Sequence, residues 1–187
     1  MRGPGAAAAR TGLVGALCLG LASLAVAGCG YSLAGRGSFL PAHIRAIGIP
    51  TFGNQTTVFD LETQVTGKVR SEFIGRGRYQ ILPDAANVDA VLTGEIVNVS
   101  IVPSTFTEEQ IASGYMITMT AAVSLRDTRE DRILWENERL VFRQDYEAQS
   151  GANVLDPAAF FGQDANALER LTTDFARSVV SAILEAF

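Results

Sequence analysis

The chain has 187 residues, of which 20 are acidic and 15 are Lys or Arg, so its formal charge is −5. Its apolar residues make up 48% of the total, which is enough to fill a core. The chain has one histidine and two cysteines, which nearly excludes zinc, iron–sulfur and haem centres because these need several such ligands. The acidic balance also argues against nucleic-acid binding, which needs clustered Lys and Arg.

The first 28 residues have the pattern of a secretory signal peptide. Arg2 and Arg10 supply positive charge, and an apolar run of about 15 residues, 13–27, leads to small residues before Cys29. A membrane-spanning helix needs about 20 apolar residues, so a removed signal is favoured over a permanent anchor. The sequence therefore predicts a removed segment 1–28, a tether 29–41 and a single α/β domain 42–187.

The end of this signal resembles the lipobox of bacterial lipoproteins, in Val26, Ala27, Gly28 and Cys29. The resemblance implies a diacylglycerol on the Cys29 thiol, cleavage before Cys29, and an acyl chain such as palmitate on the new amine. Several acyl chains exceed the two lipid signals that suffice for stable anchoring. Gly30 stands where an aspartate would retain a lipoprotein in the inner membrane, which by the same resemblance favours the outer membrane.

Two short apolar segments and one helix pattern follow the tether. Residues 44–49 lie between prolines and predict a first strand. Residues 57–75 carry apolar side chains at spacings of three and four, which predicts a helix, and Thr57 with Asp60 predicts its capping box. Residues 79–82 predict a short extra strand or the start of one.

Three longer strands and a second helix complete the pattern. Residues 90–102 alternate in side-chain direction and are expected to end at the following proline. Residues 115–126 and 133–146 flank a polar turn, which predicts a long hairpin. The segment 149–163 has an irregular pattern, whereas residues 164–187 have the apolar stripe of a strong amphipathic helix.

The predicted order of elements is β-α-β-β-β-α. Each helix has one apolar stripe and each strand one apolar face. The sequence therefore predicts an α+β two-layer sandwich, with two helices packed on one face of a four-stranded, mainly antiparallel sheet. The other face of that sheet is left to meet solvent or a partner.

The chain offers no catalytic constellation. It has no G-x-S-x-G elbow and no G-x-G-x-x-G loop, and His43 has no cysteine or second histidine near it in the predicted domain. Its acidic pairs fall in loops and turns, where carboxylates are ordinarily solvated. We therefore expect a non-enzymatic protein with no catalytic residue, no metal, and no cofactor beyond the lipid on Cys29.

The features that remain informative concern binding. Arginines cluster at the hairpin turn and along its return strand, and the candidate contacts are Arg126, Arg129, Arg132 and Arg143. Arginine suits bidentate contact with phosphate or carboxylate, although these arginines alternate with acids as in a solvated turn. Phe160 and Phe161, in a polar segment, are either a lid over the core or a contact with a partner. Trp135 is either core or an interface anchor.

With these features in place, the chain resembles the lipopolysaccharide-assembly lipoproteins of the LptE type. The resemblance rests on Cys29 followed by Gly30, an aromatic residue and Leu33, on residues 88–96, and on the strand at 115–120. It implies an outer-membrane lipoprotein facing the periplasm, with two helices on a four-stranded sheet. It also implies a partner, the LptD-type β-barrel, which the lipoprotein plugs and helps to assemble as a heterodimer. That barrel inserts lipopolysaccharide into the outer leaflet, and some family members contact lipopolysaccharide directly.

The loops bear on the choice between functions. Residues 104–113 and 149–163 contain no Lys or Arg, so the arginines at the hairpin turn are the remaining candidates for contact with the phosphates of lipopolysaccharide. The alternative function is a periplasmic binding module that activates a cell-wall synthase or belongs to a secretion apparatus. The linker 30–41 spans at most about 40 Å, which keeps the domain near its membrane and favours the barrel.

Overall fold

The computed structural model describes residues 40–108, 112–147 and 156–187. These residues form, in chain order, strands β1 (Ala46–Gly48) and β2 (Gly53–Asn54), helix α1 (Leu61–Gly75), strands β3 (Gln80–Leu82), β4 (Ala90–Phe106), β5 (Ala112–Asp127) and β6 (Arg132–Glu147), and helices α2 (Pro157–Gln163) and α3 (Ala165–Glu185). The predicted signal segment, the lipidation site Cys29 and the sorting residue Gly30 lie outside the described residues.

The sheet is mixed and has six strands among the described residues. Its order is β3-β1-β4-β5-β6, with β2 also paired to β4. Strand β1 pairs in parallel with β3 and β4, and β2 pairs in parallel with β4, whereas β4, β5 and β6 are antiparallel. The α+β class is confirmed, but the four-stranded, mainly antiparallel sheet is wrong. Strands of two or three residues are too short to show an alternation, and the crossover through α1 makes β1 and β3 parallel.

Helix α1 begins later than the sequence predicts. Its first residue is Leu61 rather than Thr57, and Asp60 stands at the N-cap with a φ of 60° and no side-chain capping bond. The predicted capping box is therefore wrong, because the helix begins four residues after Thr57 and its N-cap is Asp60. The apolar stripe of the helix is confirmed by the buried residues Leu61, Val65, Val69 and Phe73.

Strand β4 runs past the proline that the sequence analysis expected to end it. Pro103 lies in register with Tyr115, next to a register shift in the ladder between β4 and β5. Beyond Ile96, none of the described strands pairs with the other edge of β4. A proline is tolerated at an unpaired edge because its missing N–H leaves no ladder bond unmade there.

Helix α2 lies in the segment that the sequence analysis left irregular. Asp156 caps it by accepting the backbone N–H of Ala159 at 2.9 Å, and Pro157 is its first residue. Asp at the N-cap followed by Pro is a favoured helix start, so this pair was the signal that could have located the helix. Its seven residues are too few for an apolar period to be recognised.

The helices cover one face of the sheet, and a single core fills the space between the layers. Alternate residues of β5, from Tyr115 to Leu125, are buried against it, as predicted, and α3 contributes a buried stripe. The opposite side of β4, β5 and β6 is not covered by any described element and is called the outer face. By alternation and register it carries Thr93, Glu95, Met116, Thr118, Thr120, Ala122, Ser124, Glu136, Val141 and Arg143.

Candidate functional site

A buried carboxylate ties the turn between β5 and β6 to the beginning of the domain. Asp127 has no exposed surface, and its Oδ2 lies 2.6 Å from Nε2 of His43. Its Oδ1 accepts the backbone N–H groups of Arg129 at 2.8 Å and Glu130 at 3.2 Å. Aspartate commonly bonds to the backbone of a turn that it opens. Asp127 therefore shapes the turn and binds the incoming chain at the same time.

A second carboxylate, Asp89, fixes the same turn to the start of β1. Its Oδ2 accepts the backbone N–H groups of Arg45 and Ala46, both at 3.0 Å, and its Oδ1 accepts Nη2 of Arg129 at 3.0 Å. The backbone N–H of Thr128 donates to the carbonyl of Asp89 at 3.0 Å. The turn is thus held by side-chain and backbone bonds from three parts of the chain.

Both carboxylates have a lowered pKa. The backbone N–H groups at the start of β1, that of Ala46 first, lower the pKa of Asp89 more than its partial burial raises it. Burial alone would raise the pKa of Asp127, but the bond with His43 and the backbone N–H groups of the turn together outweigh that effect. Both groups are therefore ionised at neutral pH, where they accept these bonds.

We expect Asp127→Asn to lower the free energy of unfolding and to weaken its dependence on acid pH. Because the folded-state pKa of Asp127 is lowered, its stabilising effect is present above the unfolded-state pKa and is lost as the pH falls through the folded-state pKa. A hydrogen bond to a charged group contributes about 1.5–3 kcal/mol, so a loss of about 2 kcal/mol is expected at neutral pH. Urea unfolding from neutral pH down to about pH 2 measures both effects.

Asp131 provides the matched control for this variant. It lies in the same turn, but its side chain is 79% exposed and is paired with Arg126. Asp131→Asn should leave stability and its pH profile close to those of the unmodified protein, because exposed ion pairs contribute little. Equal pH profiles for Asp127→Asn and the unmodified protein would contradict the stabilising role of the buried carboxylate.

Three of the four predicted contact arginines meet around the hairpin turn. Their ion pairs are Arg126 with Asp131 at 3.1 Å, Arg129 with Asp89 at 3.0 Å, and Arg132 with Glu130 at 3.0 Å. The three arginine side chains are 57–63% exposed. Exposed ion pairs of this kind contribute about 0–1 kcal/mol to stability. A phosphate or a carboxylate of a partner can therefore replace the present acidic partners of these arginines. Arg143 lies apart from this cluster, in register with Thr118 on the outer face.

The two adjacent phenylalanines of α2 are in the core. Phe160 is 3% exposed and Phe161 4% exposed. The ring of Phe160 makes edge contacts with Tyr115, Tyr146 and Phe161, at centroid distances of 5.3, 6.0 and 5.4 Å. The structure thus favours the lid over the core, and contact with a partner stays a prediction that no exposed ring supports. Trp135 is half-buried against the same core.

Ligand-type atoms of His43, Asp127 and Glu130 lie within 4.8 Å of one another, close enough for a divalent cation. Two of the three are already joined by the 2.6 Å bond between His43 and Asp127, and Glu130 is paired with Arg132. The group therefore acts in this structure as a polar cluster that fixes the turn. The sequence alone does not reveal this cluster, because His43 and Asp127 are 84 positions apart.

A shallow concavity of about 290 Å³ lies where the outer face crosses β4, β5 and β6. Its lining is small, hydroxylic and acidic and includes Thr93, Glu95, Ala122, Ser124, Glu136 and Glu138. Within the described ranges, no helix combines the length and apolarity needed to cross a bilayer.

Comparison with protein families identifies the family of the chain. The family model described as LptE, Lipopolysaccharide-assembly, matches residues 44–183, well over half of the sequence. The chain belongs to the LptE family. Membership confirms the predicted resemblance and the prediction of a non-enzymatic protein. In general terms, LptE proteins are outer-membrane lipoproteins of lipopolysaccharide assembly and partners of LptD. No curated protein matches the sequence.

Solved structures with a similar fold come from several bacteria. The PelC dodecamer of Paraburkholderia phytofirmans matches with a TM-score of 0.51 and 13% identity, over 79% of this LptE-family chain and 95% of that chain. A hypothetical protein of Chlamydia trachomatis matches with a TM-score of 0.51 and 10% identity, over 77% and 97%. A protein of Xanthomonas campestris matches with a TM-score of 0.50 and 11% identity, over 76% and 85%. At these identities the similarities concern the fold alone.

Proposed function

We propose that this LptE-family chain plugs an LptD-type β-barrel and helps to assemble it, as part of the translocon that inserts lipopolysaccharide into the outer leaflet. The observation that carries the proposal is the outer face. Its three strands have 16 or 17 residues each, and no described element covers them. Natural strands usually have about five or six residues, so this is an unusually large sheet surface to leave without a partner.

The chemistry of the outer face supports a polar partner surface. Threonine, serine and alanine occupy its centre on β5, and glutamates flank them on the neighbouring strands. The lumen of an outer-membrane barrel is polar, because inward-facing residues alternate with the lipid-facing ones along each strand. A contact between two such surfaces relies on shape and hydrogen bonds and needs no large apolar patch.

The anchoring of the protein is part of the same proposal. The signal segment 1–28 is removed, and Cys29 carries a diacylglycerol and an N-linked acyl chain. Gly30 directs the protein to the outer membrane, where the domain faces the periplasm. The exposed arginines around the turn, Arg126, Arg129 and Arg132, then provide the positive charge for an acidic partner surface or a lipopolysaccharide phosphate. Arg143 extends that charge onto the outer face.

Placing a bulky charge at the centre of the outer face tests the plug. Ala122 lies in register with Glu95 and is half-buried, so Ala122→Arg can pair with that glutamate without entering the core. We expect the variant to fold and to reduce recovery of the barrel about tenfold or more, because overpacking costs about 1–3 kcal/mol and about 1.4 kcal/mol already corresponds to tenfold in affinity. Recovery is measured by pull-down of the full-length lipoprotein from its own membranes in mild detergent.

The matched control is Ser71→Arg, on the exposed side of α1. It adds the same side chain to the helical layer and should leave recovery of the barrel unchanged. Equal recovery for both variants would show that the outer face is not the contact. If the unmodified protein brings down a peptidoglycan synthase or a secretion ring and no barrel, the binding-module alternative replaces the plug.

A further inference from the structure

Phe59 is the most exposed large apolar side chain among the described residues, at 91%. Its neighbour Val58 is 3% exposed and packs in the core. A single exposed apolar residue ordinarily needs no explanation. Whether Phe59 has a role therefore depends on how firmly the residues around it hold the ring in position. Phe59 belongs to the segment 53–60 between the start of β2 and α1, which we call the Phe59 loop.

A hydrogen-bond network centred on Asn54 holds the Phe59 loop from within. Nδ2 of Asn54 donates to the carbonyl of Val58 at 2.9 Å and to Oε2 of Glu62 at 2.8 Å. Oδ1 of Asn54 accepts the backbone N–H and the hydroxyl of Thr56, at 2.9 and 2.8 Å. The hydroxyl oxygen of Thr56 in turn accepts the backbone N–H of Val58 at 3.2 Å.

The sheet and the helix hold the same loop from outside. The backbone N–H of Gln55 donates to the carbonyl of Ile96 at 2.8 Å, and its side chain donates to Glu95 at 2.7 Å. Asp60, directly after Phe59, has a φ of 60°, in the left-handed region that aspartate enters more readily than most other non-glycine residues. The loop is therefore preorganised, and the ring of Phe59 is presented at a fixed position.

The charges around the Phe59 loop determine which kind of surface its ring can contact. The Phe59 loop contains no Lys or Arg, and the charged groups around it are acidic: Asp60, Glu62 and Glu95. Acidic groups disfavour the anionic headgroups of a bilayer and favour a protein surface with Lys or Arg. Glu95 also lines the concavity of the outer face, so through Gln55 the loop borders the surface proposed to contact the barrel.

We propose that Phe59 is an aromatic anchor of the interface with the barrel, and that it enters an apolar pocket of that partner with Lys or Arg at its rim. The identity of the partner rests on the proposed function, whereas the anchor rests on the loop itself. A phenylalanine buries about 150–250 Å² when it is covered, and preorganised aromatic anchors dominate many interfaces because little freedom is lost on binding.

Phe59→Ala tests the anchor in the full-length lipoprotein. We expect the dissociation constant of its complex with the purified barrel in detergent to rise about thirtyfold, the size typical of an interface hot spot. The urea unfolding curve should stay unchanged, because the ring is outside the core. Asn54→Ala keeps the phenyl ring but removes the hydrogen bonds that position the loop, so it should also raise the dissociation constant.

Ile74→Ala is the matched control, since Ile74 is 60% exposed near the other end of α1. It should bind the barrel like the unmodified protein. An unchanged dissociation constant for Phe59→Ala overturns the anchor and leaves the plug standing, whereas failure of the unmodified protein to bind any barrel overturns the plug. Flotation of a Cys29→Ala protein with anionic phospholipid vesicles, lost on Phe59→Ala, would assign the ring to the membrane and also overturn the anchor.

Discussion

Replacing Phe160 with alanine should lower the free energy of unfolding by about 3–5 kcal/mol. The ring is 3% exposed and lies between Tyr115 of β5 and Tyr146 of β6, with edge contacts to both. Helix α2 has only seven residues, and a helix of that length is not stable without tertiary contacts. Loss of the ring should therefore release α2 from the sheet.

Urea unfolding of the domain measures this effect, with Phe106→Ala as the control. Phe106 is also an aromatic residue, at the end of β4, but it is 58% exposed, so its removal should change stability by no more than about 0.5 kcal/mol. If Phe160→Ala kept the stability of the domain and weakened only its complex with a partner, the lid over the core would be the wrong interpretation.

Gly94→Ala should destabilise the domain by about 2–3 kcal/mol, because it overpacks the core. A Cβ atom at this position would lie under 3.0 Å from three ring carbons of Phe52. Phe52 is 3% exposed, and its backbone N–H donates to the hydroxyl of Thr66 on α1 at 3.0 Å. The ring is therefore enclosed by the core, and the added methyl group can be accommodated only if β4 or the segment around Phe52 shifts.

Gly67→Ala is the matched control for this strand glycine. Gly67 lies within α1, and a Cβ there would meet nothing within 4 Å. The substitution should stabilise the domain by about 1 kcal/mol, because alanine has the higher helix propensity. Combining Gly94→Ala with Phe52→Leu should recover part of the loss. Independent, additive effects of those two changes in urea unfolding would contradict a direct clash.

The parts of the fold that could be predicted are those in which apolar residues recur at the spacing of a strand or a helix. Strands β4, β5 and β6 and helix α3 each carry enough residues to show which side is buried. The parallel pairing of β1 with β3 and β4 could not be predicted in this way, since a crossover and not a side-chain pattern determines it. The two residues of β2 are likewise too few to show any period.

The candidate sites divide in the same way. Arginines around a polar turn are visible in the sequence, and the structure does bring Arg126, Arg129 and Arg132 together. The exposure of Phe59 could not be predicted, because Val58 and Phe59 are adjacent apolar residues within the segment predicted as helix. The bonds of Asn54 and the conformation at Asp60 decide that Val58 is buried and Phe59 exposed, and those contacts exist only in the folded chain.

Because of the bond between His43 and Asp127, the two ends of the long strands differ in their distance from the start of the domain. The described domain begins close to the turn between β5 and β6, because His43 is bonded to Asp127 there. Strands of 16 residues extend away from that turn by about 50 Å. If Cys29 carries the proposed lipid, the turn with its arginines is the end of the domain that lies nearer to the anchor along the chain. The ends of β4 at Phe106 and β6 at Glu147 lie at the opposite end of the sheet, so in the proposed plug the long strands limit how deep the domain can extend into the barrel.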